Sequence, residues 1–191
     1  GNTNFNKGVK PIPAGALSNP DAENLVRMVN NGPNLPIKLK LTLTPKNIGM
    51  QKSGNVIAEL PGSDPSLPII VVACHLDSWD LGTGAIDDAS GCAIITGAVK
   101  HLHANGVGRK RTIRLLWAGA EEVGVWGGES YSKTHGKVPH GLAMESDFGA
   151  GRIWKADFRL PDSAKPLRTE IEKNLRLLGI APGGDIAGGG A

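Results

Sequence analysis

The feature that most constrains this 191-residue chain is an apolar, β-branched run, Ile69-Ile70-Val71-Val72-Ala73, that leads through a glycine-rich acidic loop into a segment with helical spacing. A continuous apolar run is expected for a strand covered on both faces, as in a parallel sheet. The loop spans 77–88, small and apolar residues recur at helical spacing over 89–105, and Gly106 supplies a helix stop. A second buried strand is expected over 112–118, a short helix over 127–134, and further strands over 142–145 and 152–159. An amphipathic helix over 166–178 places Leu167, Ile171, Leu175 and Leu178 on one face. Strand, helix, strand, helix, strand predicts an α/β fold of three layers, with helices on both sides of a mostly parallel, mixed central sheet.

The first fifty residues read differently. Residues 1–19 are polar and punctuated by Gly and Pro, as in a linker. Asn19 as N-cap and Pro20 at the first helical position start a helix that carries Leu25, Val26 and Val29 and stops at Asn31-Gly32-Pro33. Ile37, Leu39, Leu41 and Leu43 alternate with Lys and Thr, the pattern of a half-buried strand, and another strand is expected over 55–60. The chain opens on Gly1 and closes on Gly-Gly-Gly-Ala, which reads as an internal piece of a longer protein.

Composition narrows the function classes. Aromatics are 4% and the net charge is only +3, so neither a stacking platform nor a strong field for nucleic acid is present. The one basic cluster, Arg109-Lys110-Arg111, reads as a solvated turn. The longest apolar run, 67–74, is too short for a membrane span, which needs about 20 residues. Cys74 and Cys92 both lie in apolar runs and are expected to be buried, unpaired thiols.

In a sheet of this kind ligands bind beyond the carboxyl ends of the strands. Four strand-end loops deliver polar residues there: His75 and Asp77, then Asp87-Asp88, then Glu121-Glu122, then Glu145 and Asp147. Clustered carboxylates repel one another unless a cation sits among them. A mixed His and carboxylate set suits Zn²⁺, and two ions sharing a bridging carboxylate would use more of the acids. Asp77, two residues after His75, is placed to fix the imidazole tautomer. One member of the Glu pair is free to act as a general base. Taken singly, each group has a plainer role: Asp87-Asp88 as a helix N-cap, Glu121-Glu122 as a solvated turn.

Three stretches, 75–80 (His-Leu-Asp-Ser-Trp-Asp), 84–91 (Gly-Ala-Ile-Asp-Asp-Ala-Ser-Gly) and 120–124 (Ala-Glu-Glu-Val-Gly), resemble the M28 metallopeptidases. Met144-Glu145-Ser146-Asp147 resembles their carboxypeptidase Q-like branch. The resemblance implies the zinc-exopeptidase fold and two zinc ions. On it, His75 and Asp147 bind one zinc, Asp87 bridges both, Glu122 binds the other, Glu121 is the general base, and Asp77 supports His75. It also implies a cis peptide between Asp87 and Asp88. A further His ligand of the second zinc lies downstream in that family, and Gly183-Gly184-Asp185-Ile186 resembles the segment leading toward it. His101, His103, His135 and His140 match no ligand position and are expected at the surface. Residues 1–50 resemble the exit from an inserted protease-associated domain with its linker, and 51–191 part of the catalytic domain.

The function so implied is a zinc-dependent exopeptidase acting on dipeptides or short peptides, extracellular, periplasmic or lumenal, with a homodimer possible in the longer protein. The alternatives are a non-catalytic binding module and glutaminyl cyclisation. For the 191-residue chain itself, one tight zinc and little activity are expected.

Overall fold

The computed structural model describes residues 12–32, 36–46, 48–184 and 187. Most of the linker, Pro33, Asp185 and Ile186 lie outside the described residues.

The long apolar run forms β2 (Ile69–His75), whose last residues, Cys74 and His75, are fully buried. It lies in the middle of a four-stranded sheet in the order β1 (Val56–Leu60), β3 (Ile113–Ala118), β2, β4 (His140–Glu145). β2 pairs in parallel with both neighbours, and β1 runs antiparallel to β3. The sheet is therefore mixed and mostly parallel, as its apolar runs predict. Alternation along the strands splits the core in two. Cys74 and Leu115 pack with Leu60, Ile95 and Val99 on the face covered by α2 (Ala89–Ala104). Ile69, Val71 and Leu116 pack against Tyr131 of α3 (Trp126–His135) on the other. Burying each such side chain contributes about 1.5–3 kcal/mol.

Under α3 a polar network replaces apolar contact. Arg114 pairs with Glu59 across the β1–β3 register and donates to the Tyr131 hydroxyl, which lies 2.8 Å from His140 Nε2. His140 and His135, which stacks on Tyr131, are thus half-buried rather than surface residues. His101 and His103 are exposed in the last turn of α2.

Other expectations change. The 36–46 segment forms no strand, and Leu39 and Leu41 are 63% and 65% exposed. Alternation reports one apolar stripe, but a strand also needs a neighbour to take its backbone hydrogen bonds, and this segment pairs with none of the four strands of the sheet. The strand expected over 152–159 shrinks to β5 (Lys155–Ala156), paired with β6 (Ala181–Pro182) in a separate two-stranded sheet beside α4 (Lys165–Leu177). α1 (Asn19–Asn31) is capped by Ser18, whose hydroxyl accepts from the Asp21 amide, one residue earlier than expected. The basic triplet is no free turn: Arg109 and Arg111 donate to the carbonyls of Pro61 and Pro68, tying the entry of β3 to the turn between β1 and β2.

The two cysteines are not free thiols. Cys74 and Cys92 form a disulfide between the end of β2 and the first turn of α2. The strand–loop–helix return brings the buried Cys74 and the half-buried Cys92 to the same interface, within reach of each other.

Candidate metal centre

The site is built outward from His75. Its backbone N–H donates to Asp88 Oδ2 at 3.0 Å. Its Nδ1 lies 2.9 Å from the Asp77 carbonyl, which can only accept, so Nδ1 carries a proton and the ring, when neutral, turns its Nε2 lone pair toward the acidic cluster. Nε2 faces Asp87 Oδ1 at 2.9 Å and Asp147 Oδ1 at 3.3 Å. Burial opposes charge on this ring, but the Asp77 carbonyl and the carboxylates of Asp88, Asp147 and Glu121 together raise its pKa.

Asp87 and Asp88 are joined by a cis peptide, and Asp80–Leu81 is a second one in the same loop. Asp88 is 1% exposed, and both its oxygens are engaged: Oδ2 by His75 N–H, Oδ1 by the Gly91 N–H as the N-cap of α2. It locks the end of β2 to the start of α2 and leaves Asp87 to face the imidazole. Sequence reading gave Asp88 only its capping half. A Cβ on Gly91 would overlap the Ser146 carbonyl and the Asp88 carboxylate, so glycine here lets α2 approach the end of β4. The Ser146 amide donates to the Ala73 carbonyl at 3.0 Å, extending the ladder one step and setting Asp147 beside His75.

Glu121 and Glu122 sit on the loop between β3 and α3. The carboxylate of Asp77 accepts both their amides, Oδ1 from Glu121 at 2.9 Å and Oδ2 from Glu122 at 3.1 Å. Asp77 therefore faces two ways. Its backbone carbonyl, not its side chain, orients His75, while its carboxylate, 3.9 Å from Nδ1, holds the Glu pair. A turn so short brings the Asp77 side chain under the neighbouring strand's loop, a relation that sequence spacing does not contain.

Two donor groups converge: His75, Asp87 and Glu122 in one, His75, Asp88 and Asp147 in the other. Since the Asp88 oxygens are spent on backbone amides, the second is better taken as His75, Asp87 and Asp147. Glu122 Oε1 is buried without a hydrogen-bond partner, a cost of about 1–3 kcal/mol that a cation would remove. Burial raises the pKa values of Glu121, Glu122, Asp88 and Glu145, and neighbouring acids add to each, Asp87 for Glu122 and Asp147 for the other three. One imidazole among carboxylates, with an orphaned buried oxygen, fits a zinc-type ion. Beside Asp147 a cavity of about 790 Å³ opens between α2, the sheet and the 146–155 segment, lined by Val72, Ile95, Met144, Phe148 and Trp154.

The chain is similar in sequence and fold to known proteins. The crystal structure of a peptidase M28 precursor from Shewanella amazonensis SB2B superposes with a TM-score of 0.79 at 41% identity, covering 98% of this chain and 42% of that one. Carboxypeptidase Q of Bos taurus is 34% identical over 178 residues, 92% of this chain and 37% of the bovine protein. The Homo sapiens carboxypeptidase Q is 35% identical over 179 residues, with the same shares covered. LapB from Legionella pneumophila, at 24% identity, a TM-score of 0.53 and coverage of 70% of this chain and 38% of LapB, shares the fold. The chain thus spans about two-fifths of the length of these relatives. Residues 55–176, from the start of β1 into α4, match Peptidase family M28, and the chain belongs to that family.

Proposed function

We propose that this chain carries the metal-binding and proton-transfer part of a zinc exopeptidase that cleaves dipeptides or short peptides at a terminus. The observation that carries the proposal is the convergence of Asp87, Asp147 and the unpartnered Glu122 oxygen on His75 and its neighbours. His75, Asp87 and Asp147 would hold one zinc, and Glu122 a second that shares Asp87. Zinc in such a site polarises the scissile carbonyl and lowers the pKa of water to about 7. The half-buried Glu121 carboxyl, its pKa raised, would accept a proton from water and return it to the leaving amine. Asp77 keeps both Glu amides fixed while this happens. The first zinc would have three ligands among the described residues and the second only Asp87 and Glu122, so one tight zinc per 191-residue chain is expected. The Cys74–Cys92 disulfide supports an oxidising, exported or lumenal setting. Among the described residues no helix is long and apolar enough to cross a membrane.

Zinc titration of metal-free protein, with dipeptide hydrolysis measured in the longer parent, tests this reading. Glu122→Gln loses metal. Glu121→Gln keeps metal and loses turnover by about 10²- to 10⁴-fold, the usual contribution of a general base. Reversed phenotypes would exchange the two roles. A wild-type chain that binds no zinc would favour a non-catalytic binding module.

A further inference from the structure

We propose that Asn55 is a positioning residue for the Glu121–Glu122 loop, acting as a staple across its two ends. In sequence Asn55 is only the first residue of the strand expected over 55–60, and in the structure it immediately precedes β1. In the fold it stands at the end of the antiparallel β1–β3 pair, where Val56 faces Trp117, so its side chain reaches just past the end of β3. There its Oδ1 accepts the Gly119 amide at 3.0 Å, and its Nδ2 donates to the Gly127 carbonyl at 2.8 Å.

These two residues are the feet of the loop that carries Glu121 and Glu122. The backbone between them turns sharply, with positive φ at Ala120 (57°) and Val125 (53°), both rare for side-chain-bearing residues. The feet are pressed together: a Cβ on Gly127 would come within 2.5 Å of both Asn55 Oδ1 and the Gly119 carbonyl. Asp77 grips the crown of the same loop through the amides of Glu121 and Glu122. The loop is thereby held at three points, and Asn55 supplies two of them. Only a carboxamide offers a donor and an acceptor at this reach; a carboxylate would keep the bond to Gly119 and lose the one to Gly127.

The consequence for metal rests on the proposed role of Glu122 as a ligand, and the test separates the two claims. Amide exchange measured by NMR on the metal-free chain reports loop fixation directly, and zinc competition against a chromophoric chelator reports its effect on the site. In Asn55→Ala, exchange at Gly119, Glu121 and Glu122 rises relative to the interior of β3. Affinity for the zinc that Glu122 would hold falls roughly 10- to 100-fold, the usual size when an outer-sphere partner is lost. Asn55→Asp keeps Gly119 protected and gives a smaller fall in affinity. Unchanged exchange at Glu121 and Glu122 in folded Asn55→Ala overturns the proposal, as does wild-type zinc affinity once the loop has loosened. If Asn55→Ala does not fold, wild-type exchange and affinity in Asn55→Asp overturn it. A wild-type chain that binds no zinc refutes the proposed function alone, and the exchange data still decide the role of Asn55.

Discussion

Replacing Asp77 by Asn separates its two contributions to the site. The carbonyl that receives His75 Nδ1 belongs to the backbone and survives the change. The carboxylate that accepts the amides of Glu121 and Glu122 does not. A hydrogen bond to a charged acceptor is worth about 1.5–3 kcal/mol net. The amide of Asn keeps one neutral acceptor and turns an NH₂ toward the other N–H, so one bond is lost and the other weakened. The cost is about 2 kcal/mol, or roughly 30-fold if all of it appears in affinity for the zinc that Glu122 would hold. Zinc competition titration measures this, with imidazole ¹⁵N shifts of His75 as an internal control. Affinity is expected to fall 10- to 100-fold, while the His75 tautomer stays unchanged. A normal affinity, or a His75 tautomer change with the Glu amides unmoved, would refute the division of labour between carbonyl and carboxylate.

Two further outcomes follow from the same geometry. Replacing both Cys74 and Cys92 by Ala removes a cross-link between positions 18 residues apart, which costs about 3 kcal/mol by chain entropy; denaturant unfolding with no loss of stability would show that the unfolded chain is not constrained by it. In the metal-free chain, His75, Asp88, Glu121, Glu122 and Glu145 all bind protons more tightly folded than unfolded. Their contribution to stability is therefore present at low pH and is lost as pH rises, from about 4 for the carboxyls and past about 6.5 for His75. Melting temperatures measured from pH 5 to 8 should fall without zinc and be restored by it, and a metal-free rise over that range would contradict the assigned shifts.

Much of the fold was legible because it depends on periodicity. The continuous run of β2, the helical spacing of α2 and the Gly106 stop follow from side-chain alternation and backbone preference, which are local properties. The strand-end positions of His75, Asp87, Glu122 and Asp147 were readable for the same reason, since a parallel sheet brings successive carboxyl ends to one edge. What tertiary structure alone decided was which groups spend their hydrogen bonds on one another. The alternating Leu39, Leu41 and Leu43 found no neighbouring strand. Cys74 and Cys92 met across a strand–helix interface. Asp77 turned its carboxylate to a loop 44 residues away, and Asn55 reached both ends of that loop across 64 and 72 residues of chain. Such pairings are set by how the β3–α3 loop and the end of β1 pack together, and a hydrogen bond between residues so far apart leaves no period in the sequence.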